Sequence, residues 1–228
     1  NDIYDRRRAS VFGVQALSVK KIVTYDEIPD KKEIFLSGLS LSHFPLPQLV
    51  EEARRCDSRL TKELAFFALG EKGELLGRAG VALTKVETKE GGLRVGVVWG
   101  VRTSPWRTKE GVARILMDHV HEYLKTKEVD VFSLGVAKYN VAHQLYTKMG
   151  YREVDEGIRR TALKWADEKK GGGLRVSPYS YGDAEQVQQI MNRSNEGLYG
   201  YTSRDIGFIS KRRFLGHYDP ENVSVYRL

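Results

Sequence analysis

The hydrophobic pattern of the chain changes its period at Pro105. Before this residue, the segment 93–103 (LRVGVVWGVRT) is the most hydrophobic run, which predicts a buried central strand. After it, apolar residues recur at every third or fourth position over 112–124, which is the period of an amphipathic helix. The sequence therefore predicts a central strand followed closely by a helix of good length.

The loop between this strand and this helix is suited to bind an anion. It carries Arg107 and Lys109, and Gly111 stands at the start of the helix. The first N–H groups of a helix have no partner within it, and the helix dipole favours a negative charge at that end. Glycine also lets a ligand approach the backbone closely. A pyrophosphate would fit such a loop, but an ordinary helix cap has the same sequence pattern.

Other segments of the first two thirds of the chain predict further strands and helices. Asp26 is expected to cap a short helix, residues 47–56 predict a second helix, and Asn140 is expected to cap a third one that ends before Gly150. Runs rich in Val, Ile, Leu and Phe predict the strands. These are residues 18–25, 63–69, 74–85, 129–136 and, as two short strands, 151–164.

Two motifs in this part of the chain resemble those of a known family. The first follows the central strand, and the second begins at Asn140, after the next predicted strand. They resemble the two motifs of the GNAT superfamily, whose members are acetyl-CoA-dependent N-acyltransferases. The matching residues are Val101, Pro105, Gly111 and Ala113 in the first motif, and Asn140, Leu145, Tyr146, Gly150 and Tyr151 in the second. The order of predicted strands and helices over 18–165 is similar to that of the family as well.

The resemblance implies a fold and an activity. The fold is α+β in three layers, with a mixed, mostly antiparallel central sheet flanked by helices, over residues 18–168. The activity is direct transfer of an acetyl group from acetyl-CoA, the co-substrate, to a primary amine. The residues implied in binding acetyl-CoA are Trp99, Val101, Arg107, Thr108, Lys109, Gly111, Val112, Ala113 and Asn140.

The resemblance also implies catalytic groups. A main-chain N–H near Trp99–Val101 would bind the negative oxygen of the tetrahedral intermediate. Tyr146 occupies the general-acid position of the family, from which it would protonate the leaving thiolate. Packing against the sheet is the structural alternative for this tyrosine, and a plain helix cap is the alternative for Asn140.

Two features keep a non-catalytic alternative open. Thr108 stands where the family has Arg or Gln, so Arg107 or Lys109 would have to supply the positive charge. The central strand has no acidic residue between positions 93 and 104 to act as a general base, and His143 is expected to point to solvent. Carboxylates elsewhere are Glu63, Glu87 and Asp130, each also explained as a solvated surface group. The alternative function is a non-catalytic acyl-CoA-binding or regulatory domain.

The last quarter of the chain differs from the rest. Residues 169–173 (KKGGG) have the composition of a flexible linker. After it, a strand over 174–179 and a helix capped by Asp183 repeat the order of elements predicted for 19–36. We expect residues 174–228 to be a partial second GNAT-like repeat or an accessory segment. Neither motif recurs there, so no second acetyl-CoA site is expected.

The composition limits other functions. Lys and Arg number 37 against 30 Asp and Glu, a net charge of +7, but the basic residues are scattered among acidic ones. This pattern favours a solvated surface or a site for a phosphorylated ligand over a nucleic-acid module, which is the third interpretation. The single cysteine, Cys56, excludes a disulfide within the chain and a cysteine zinc site, and no metal site is expected. No apolar run approaches the roughly 20 residues of a membrane span, and we expect a cytoplasmic protein.

Overall fold

The computed structural model describes six parts of the chain. These are residues 19–41, 47–56, 59–154, 175–198, 203–204 and 224–227. Most of the strand pair expected over 151–164, and all of the linker expected over 169–173, lie outside the described residues.

A five-stranded sheet forms the centre of the domain. Its strands are β1 (Lys21–Thr24), β2 (Leu60–Leu69), β3 (Leu75–Thr88), β4 (Gly91–Thr103) and β5 (Val131–Leu134). They lie side by side in chain order. The first four are antiparallel to their neighbours, whereas β5 runs parallel to β4. The strands predicted between residues 18 and 136 are confirmed, as is the mixed, mostly antiparallel character of the sheet.

Helices cover both faces of this sheet. They are α1 (Lys31–Leu36), α2 (Pro47–Cys56), α3 (Val112–Lys125) and α4 (Ala142–Lys148). One core cluster joins the sheet to α1 and α2 through Ile34, Val50 and Ala53, and a second joins it to α3 and α4. The neighbours Phe66 and Phe67 of β2 belong to different clusters, because successive side chains of a strand point to opposite faces. The expected three layers are therefore present.

The packing of α3 on β3 and β4 fixes the position of the helix start. All five buried side chains of α3 are apolar and lie on one face: Val112, Leu116, Met117, Val120 and Leu124. Two glycines of the sheet let this face come close. A Cβ at Gly77 would lie 2.9 Å from the Val112 side chain, and one at Gly96 would lie 2.9 Å from that of Leu124. The N-terminus of α3 is thereby held beside the C-terminal end of β4.

Two helix caps differ from the sequence predictions. The first helix begins after Asp30, whose carboxylate accepts a hydrogen bond from the N–H of Lys32 at 2.8 Å. Asp26 was the predicted cap, but its carboxylate instead pairs with Arg54 at 3.0 Å. Asp183 does stand at the N-cap position of its helix, yet it accepts hydrogen bonds from Ser180 and not from the helix. Both carboxylates have closer donors than the helix N–H groups that the sequence suggested.

The last quarter contains the predicted strand and helix. Strand β6 (Arg175–Pro178) precedes helix α5 (Ala184–Ser194), and strand β7 (Ser224–Arg227) pairs with β6 in antiparallel register. The same arrangement, two antiparallel strands with helix between them in the chain, is formed by β1 and β2. Among the described residues, no helix combines the length and apolar character that crossing a membrane requires.

Candidate active site

The strands β4 and β5 are paired over only part of their length. Their pairing runs from Val95 opposite Val131 to Val98 opposite Leu134, where β5 ends. Strand β4 continues to Thr103. Within the described part of the chain, no strand pairs with this edge of β4 beyond Val98. The edge from Trp99 onwards therefore offers main-chain groups to a ligand.

A β-bulge lies in β4 at the point where this edge opens. Gly100 and Val101 together oppose a single residue of β3, Ala79, because the register shifts there. Gly100 has a φ of 57°, in the left-handed region. A Cβ at this position would lie 2.4 Å from the guanidinium of Arg78. The left-handed backbone favours glycine here, and any larger residue would also displace the end of the Arg78 side chain. The bulge takes the main chain at Val101 out of the regular ladder.

The loop after β4 presents a row of main-chain N–H groups. A short 3-10 turn, Pro105–Arg107, is followed by Lys109 and Gly111, which have φ values of 67° and 79°. Gly111 is the N-cap of α3. Among the described residues, the N–H groups of positions 108–113 have no hydrogen-bond partner. Left-handed residues alternating with others turn successive N–H groups to one side, which makes a concavity suited to anions.

The cations of this loop have different partners. Arg107 lies 3.3 Å from the carboxylate of Glu74 and 3.6 Å from that of Glu110. It therefore neutralises Glu110, which would otherwise repel an anion in the same loop. The ammonium group of Lys109 has no carboxylate within 4.0 Å in the described part of the chain, and the residue is exposed. Lys109, more than Arg107, is free to meet a negatively charged ligand.

The second motif forms α4 and the turns at its two ends. Val141 stands at the N-cap position of α4, one residue later than predicted. Asn140 still bonds to the helix start, because its side-chain oxygen accepts a hydrogen bond from the N–H of Ala142 at 2.9 Å. Gly150 follows the helix with a φ of 94°, as predicted. The N–H of Tyr151 then bonds to the carbonyl of Tyr146 at 3.1 Å. This closing turn is of the Schellman type, and it fixes the two tyrosines relative to each other.

Tyr146 is buried against the sheet and also reaches a cavity. Its exposed fraction is 6%, and it belongs to the same core cluster as Val98 and α3. The cavity has a volume of about 600 Å³ and is lined by Tyr146, the residues that follow β5, and positions 151–154. Burial raises the pKa of Tyr146 above its usual 10.0. The phenol therefore keeps its proton at neutral pH, and within the described residues its hydroxyl makes no hydrogen bond.

Two histidines lie near this tyrosine pair. The Nε2 atom of His121 is 2.8 Å from the hydroxyl of Tyr151, and burial lowers the pKa of His121 while raising that of Tyr151 to about 12. His143 lines the cavity and lies 2.7 Å from Glu153. Its predicted direction toward solvent was thus only half right. His143 is the second residue of α4, and at that position the sequence does not indicate whether a side chain faces solvent or a cavity.

The carboxylates considered as general bases lie elsewhere. Glu63 on β2 accepts a hydrogen bond from Tyr123 at 2.5 Å. Glu87 lies at the β3–β4 turn, and Asp130 bonds to the N–H of Arg94, so both stand at the end of β4 opposite to the bulge. Among the described residues, no cluster of three potential metal ligands is found. The open edge of β4, the N–H loop and Tyr146 are therefore what the site offers to chemistry.

Comparison with known proteins identifies the family. The pattern of the acetyltransferase (GNAT) family matches residues 33–151, which is more than half of the chain. The chain therefore belongs to this family. It is accordingly an N-acetyltransferase, and the family uses acetyl-CoA as acetyl donor.

Several solved structures are similar to this one. A Pyrococcus furiosus protein described as an acetyl transferase has a TM-score of 0.49 and 19% identity, over 62% of this chain and 99% of its own. Glucosamine-6-phosphate N-acetyltransferase from Arabidopsis thaliana has a TM-score of 0.47 and 16% identity, over 63% and 97%. An acetyltransferase from Trypanosoma brucei has a TM-score of 0.44 and 19% identity, over 57% and 90%. A search of curated proteins finds no significant sequence match.

Proposed function

We propose that the protein transfers the acetyl group of acetyl-CoA to a primary amine by direct attack. The observation that carries the proposal is the loop 108–113, whose N–H groups have no partner among the described residues and which follows the open edge of β4. A pyrophosphate accepts hydrogen bonds from such groups, and the start of α3 favours its negative charge. Lys109 supplies a further cation. The thioester end of the same ligand would then lie along β4.

The reaction needs one bond formed and one broken. The amine nitrogen attacks the carbonyl carbon of the thioester, which forms the C–N bond and moves an electron pair onto the oxygen. When the oxygen returns this pair, the C–S bond breaks and the thiolate leaves. An amine with a pKa near 10.4 is mostly protonated at neutral pH, so a base or a chain of water molecules must first take its proton. The nitrogen then gives up a second proton, which makes good the proton that the sulfur takes up. The products are therefore the acetylated amine, CoA and the one proton lost before the attack.

The residues of the site have separate roles in this proposal. Main-chain N–H groups of 108–113 hold the pyrophosphate, and Asn140, which lies at the start of α4, faces the cofactor arm. The N–H of Val101, at the bulge, donates to the negative oxygen. Tyr146 donates its proton to the leaving sulfur. Burial raises its pKa, so the phenol still holds its proton when the thiolate forms.

The test is a thiol-release assay with the intact protein. Acetyl-CoA is mixed with amines of several classes, namely sugar amines, polyamines and peptides with free amino groups, and free thiol is followed over time. Amine-dependent release together with acetylated product in a mass spectrum supports the proposal. Absence of CoA binding in a calorimetric titration would refute it. Binding of CoA without thiol release from any class would favour the non-catalytic acyl-CoA-binding domain.

A further inference from the structure

A buried arginine lies beneath the bulge of β4. Arg78 on β3 is 1% exposed, and in the described part of the chain no carboxylate lies within 4.0 Å of its guanidinium. Among the residues that the structure describes, its Nε atom has no hydrogen-bond partner. Burial, together with the charge of Arg102, lowers the pKa of Arg78 to about 10. An ion without a counter-ion is unfavourable in a protein interior, so the contact that Arg78 does make calls for an explanation.

That contact is with the carbonyl group of the bulge. The Nη1 atom of Arg78 donates a hydrogen bond to the carbonyl oxygen of Gly100. Gly100 has the left-handed backbone of the bulge and no side chain, and any Cβ there would collide with this same nitrogen. The guanidinium and the glycine are therefore fitted to each other. The carbonyl of Gly100 and the N–H of Val101 belong to one peptide group, so the arginine acts on that whole group.

The hydrogen bond at the carbonyl of Gly100 affects the N–H of Val101 in two ways. The peptide is trans, so its C=O and N–H point in opposite directions, and holding the carbonyl toward Arg78 turns the Val101 N–H away from it. A cation at the oxygen also polarises the amide, which makes the N–H a stronger donor. The Val101 side chain packs against the core cluster that contains Tyr146. The aimed N–H thus belongs to a residue that packs on the same core cluster as the proposed general acid.

We propose that Arg78 is a positioning residue for acetyl transfer, which fixes the Gly100–Val101 peptide and strengthens the Val101 N–H as donor to the oxyanion. The inference rests on the proposed function, since it takes the Val101 N–H as the group that meets the thioester oxygen. Arg78 itself does not touch the reacting atoms. The positive charge of Arg78 lies at the carbonyl side of the peptide group whose N–H would meet the negative oxygen. A neutral side chain of similar size would keep the fold but would not polarise this peptide group.

Binding of two ligands tests the inference without relying on turnover. Acetyl-CoA has the carbonyl oxygen that the N–H would bind, whereas S-ethyl-CoA has a methylene in its place and is otherwise the same. Calorimetry gives the Kd of each for the unmutated protein, Arg78→Met, Arg78→Lys and Arg94→Met. The last variant removes an exposed arginine at the other end of β4 and serves as the matched control. Circular dichroism and thermal unfolding verify that each variant is folded.

The expected result is a loss of discrimination in one variant. The unmutated protein and Arg94→Met bind acetyl-CoA more tightly than S-ethyl-CoA. Arg78→Met binds S-ethyl-CoA as the unmutated protein does but loses the preference, and its kcat falls about tenfold, less than the loss of a whole oxyanion donor would cause. Arg78→Lys, which keeps a charge and a donor, retains part of the preference. A folded Arg78→Met that keeps both the preference and kcat overturns the inference.

Other outcomes separate this inference from the proposed function. If neither ligand binds the unmutated protein, the proposed function fails and the inference with it. If both bind equally, the oxyanion role of the Val101 N–H is wrong. Should Arg78→Met not fold, the Val101 amide proton of the unmutated protein is followed by NMR. It is expected to shift downfield with acetyl-CoA and not with S-ethyl-CoA, and equal shifts with both ligands overturn the inference.

Discussion

Tyr146 and Tyr151 meet edge to face, with their ring centroids 5.9 Å apart and the ring planes at 66°. The turn at Gly150 imposes this contact, because it brings the N–H of Tyr151 to the carbonyl of Tyr146. One tyrosine of the pair is hydrogen-bonded to His121, while the hydroxyl of the other has no bond among the described residues and lies at the cavity. The ring of Tyr151 is therefore fixed by its hydrogen bond, while the hydroxyl proton of Tyr146 is available to a ligand.

Replacing Tyr146 with Phe is expected to slow acetyl transfer with little effect on CoA binding. The ring and its packing remain, but the proton donor is lost, so kcat should fall on the order of a hundredfold. Steady-state kinetics and calorimetry measure the two effects. Tyr25→Phe is the matched control, because Tyr25 is also buried but belongs to the cluster on the other face of the sheet. An unchanged rate in Tyr146→Phe would leave this tyrosine with a packing role only.

Replacing Gly111 with Glu is expected to abolish CoA binding. The change puts a negative side chain among the N–H groups of 108–113 and a non-glycine residue at a φ of 79°. Gly38→Glu is a close control: Gly38 has a φ of 71° and open space around it, and it lies outside the loop. Both variants carry the same strain and charge, so calorimetry isolates the effect of position. Equal CoA affinity in the two variants would show that the loop does not hold the pyrophosphate.

Two half-buried histidines of α3, His119 and His121, are expected to make stability depend on pH. Burial lowers the pKa of His119 and His121 below the usual 6.5, so the unfolded chain takes up protons first as the pH falls. The stability that these two histidines give to the folded state is fully present above pH 6.5. It is lost as the pH falls from there through their lowered pKa values in the folded state. Urea unfolding between about pH 7.5 and pH 5 should show the decrease. His121→Phe, which keeps a ring stacked on Phe132, should reduce this slope; an identical slope would contradict the assignment to His121.

Titration of the intact protein is expected to give one CoA per chain. The residues 174–228 contain the opening strand and helix of the fold but no second copy of the loop or of the Asn140 motif. Within the described part of this segment, the elements are β6, a 3-10 turn, α5 and β7, and none of them follows a strand with a glycine-bearing loop like that of 108–113. Isothermal titration with CoA measures the stoichiometry directly. A value of two sites per chain would show that the last quarter carries a site of its own.

Much of the fold follows from local sequence patterns. The alternation of side chains specifies the strands, the spacing of apolar residues specifies α3, and Gly150 specifies the end of α4. These features are local because each depends on residues within a few positions of one another. For the same reason the motif at Asn140 and the glycine at 111 could be recognised without knowledge of the neighbouring strands. Acetyl transfer could be inferred from these motifs because they resemble the two motifs of the GNAT superfamily.

The contacts between distant parts of the chain were decided only by the tertiary structure. The pairing of Arg107 with Glu74, and the burial of Arg78 beneath Gly100, depend on the register of β3 against β4. A shift by one residue exchanges the faces of a strand, and the bulge introduces such a shift inside β4. Gly100 is compatible with a bulge, but so is Gly96 of the same strand, which lies in regular register, so the sequence does not show which glycine carries it. The sequence alone therefore determined the class of the protein and its N–H loop, whereas strand register decided which charges are paired and where the Val101 peptide is aimed.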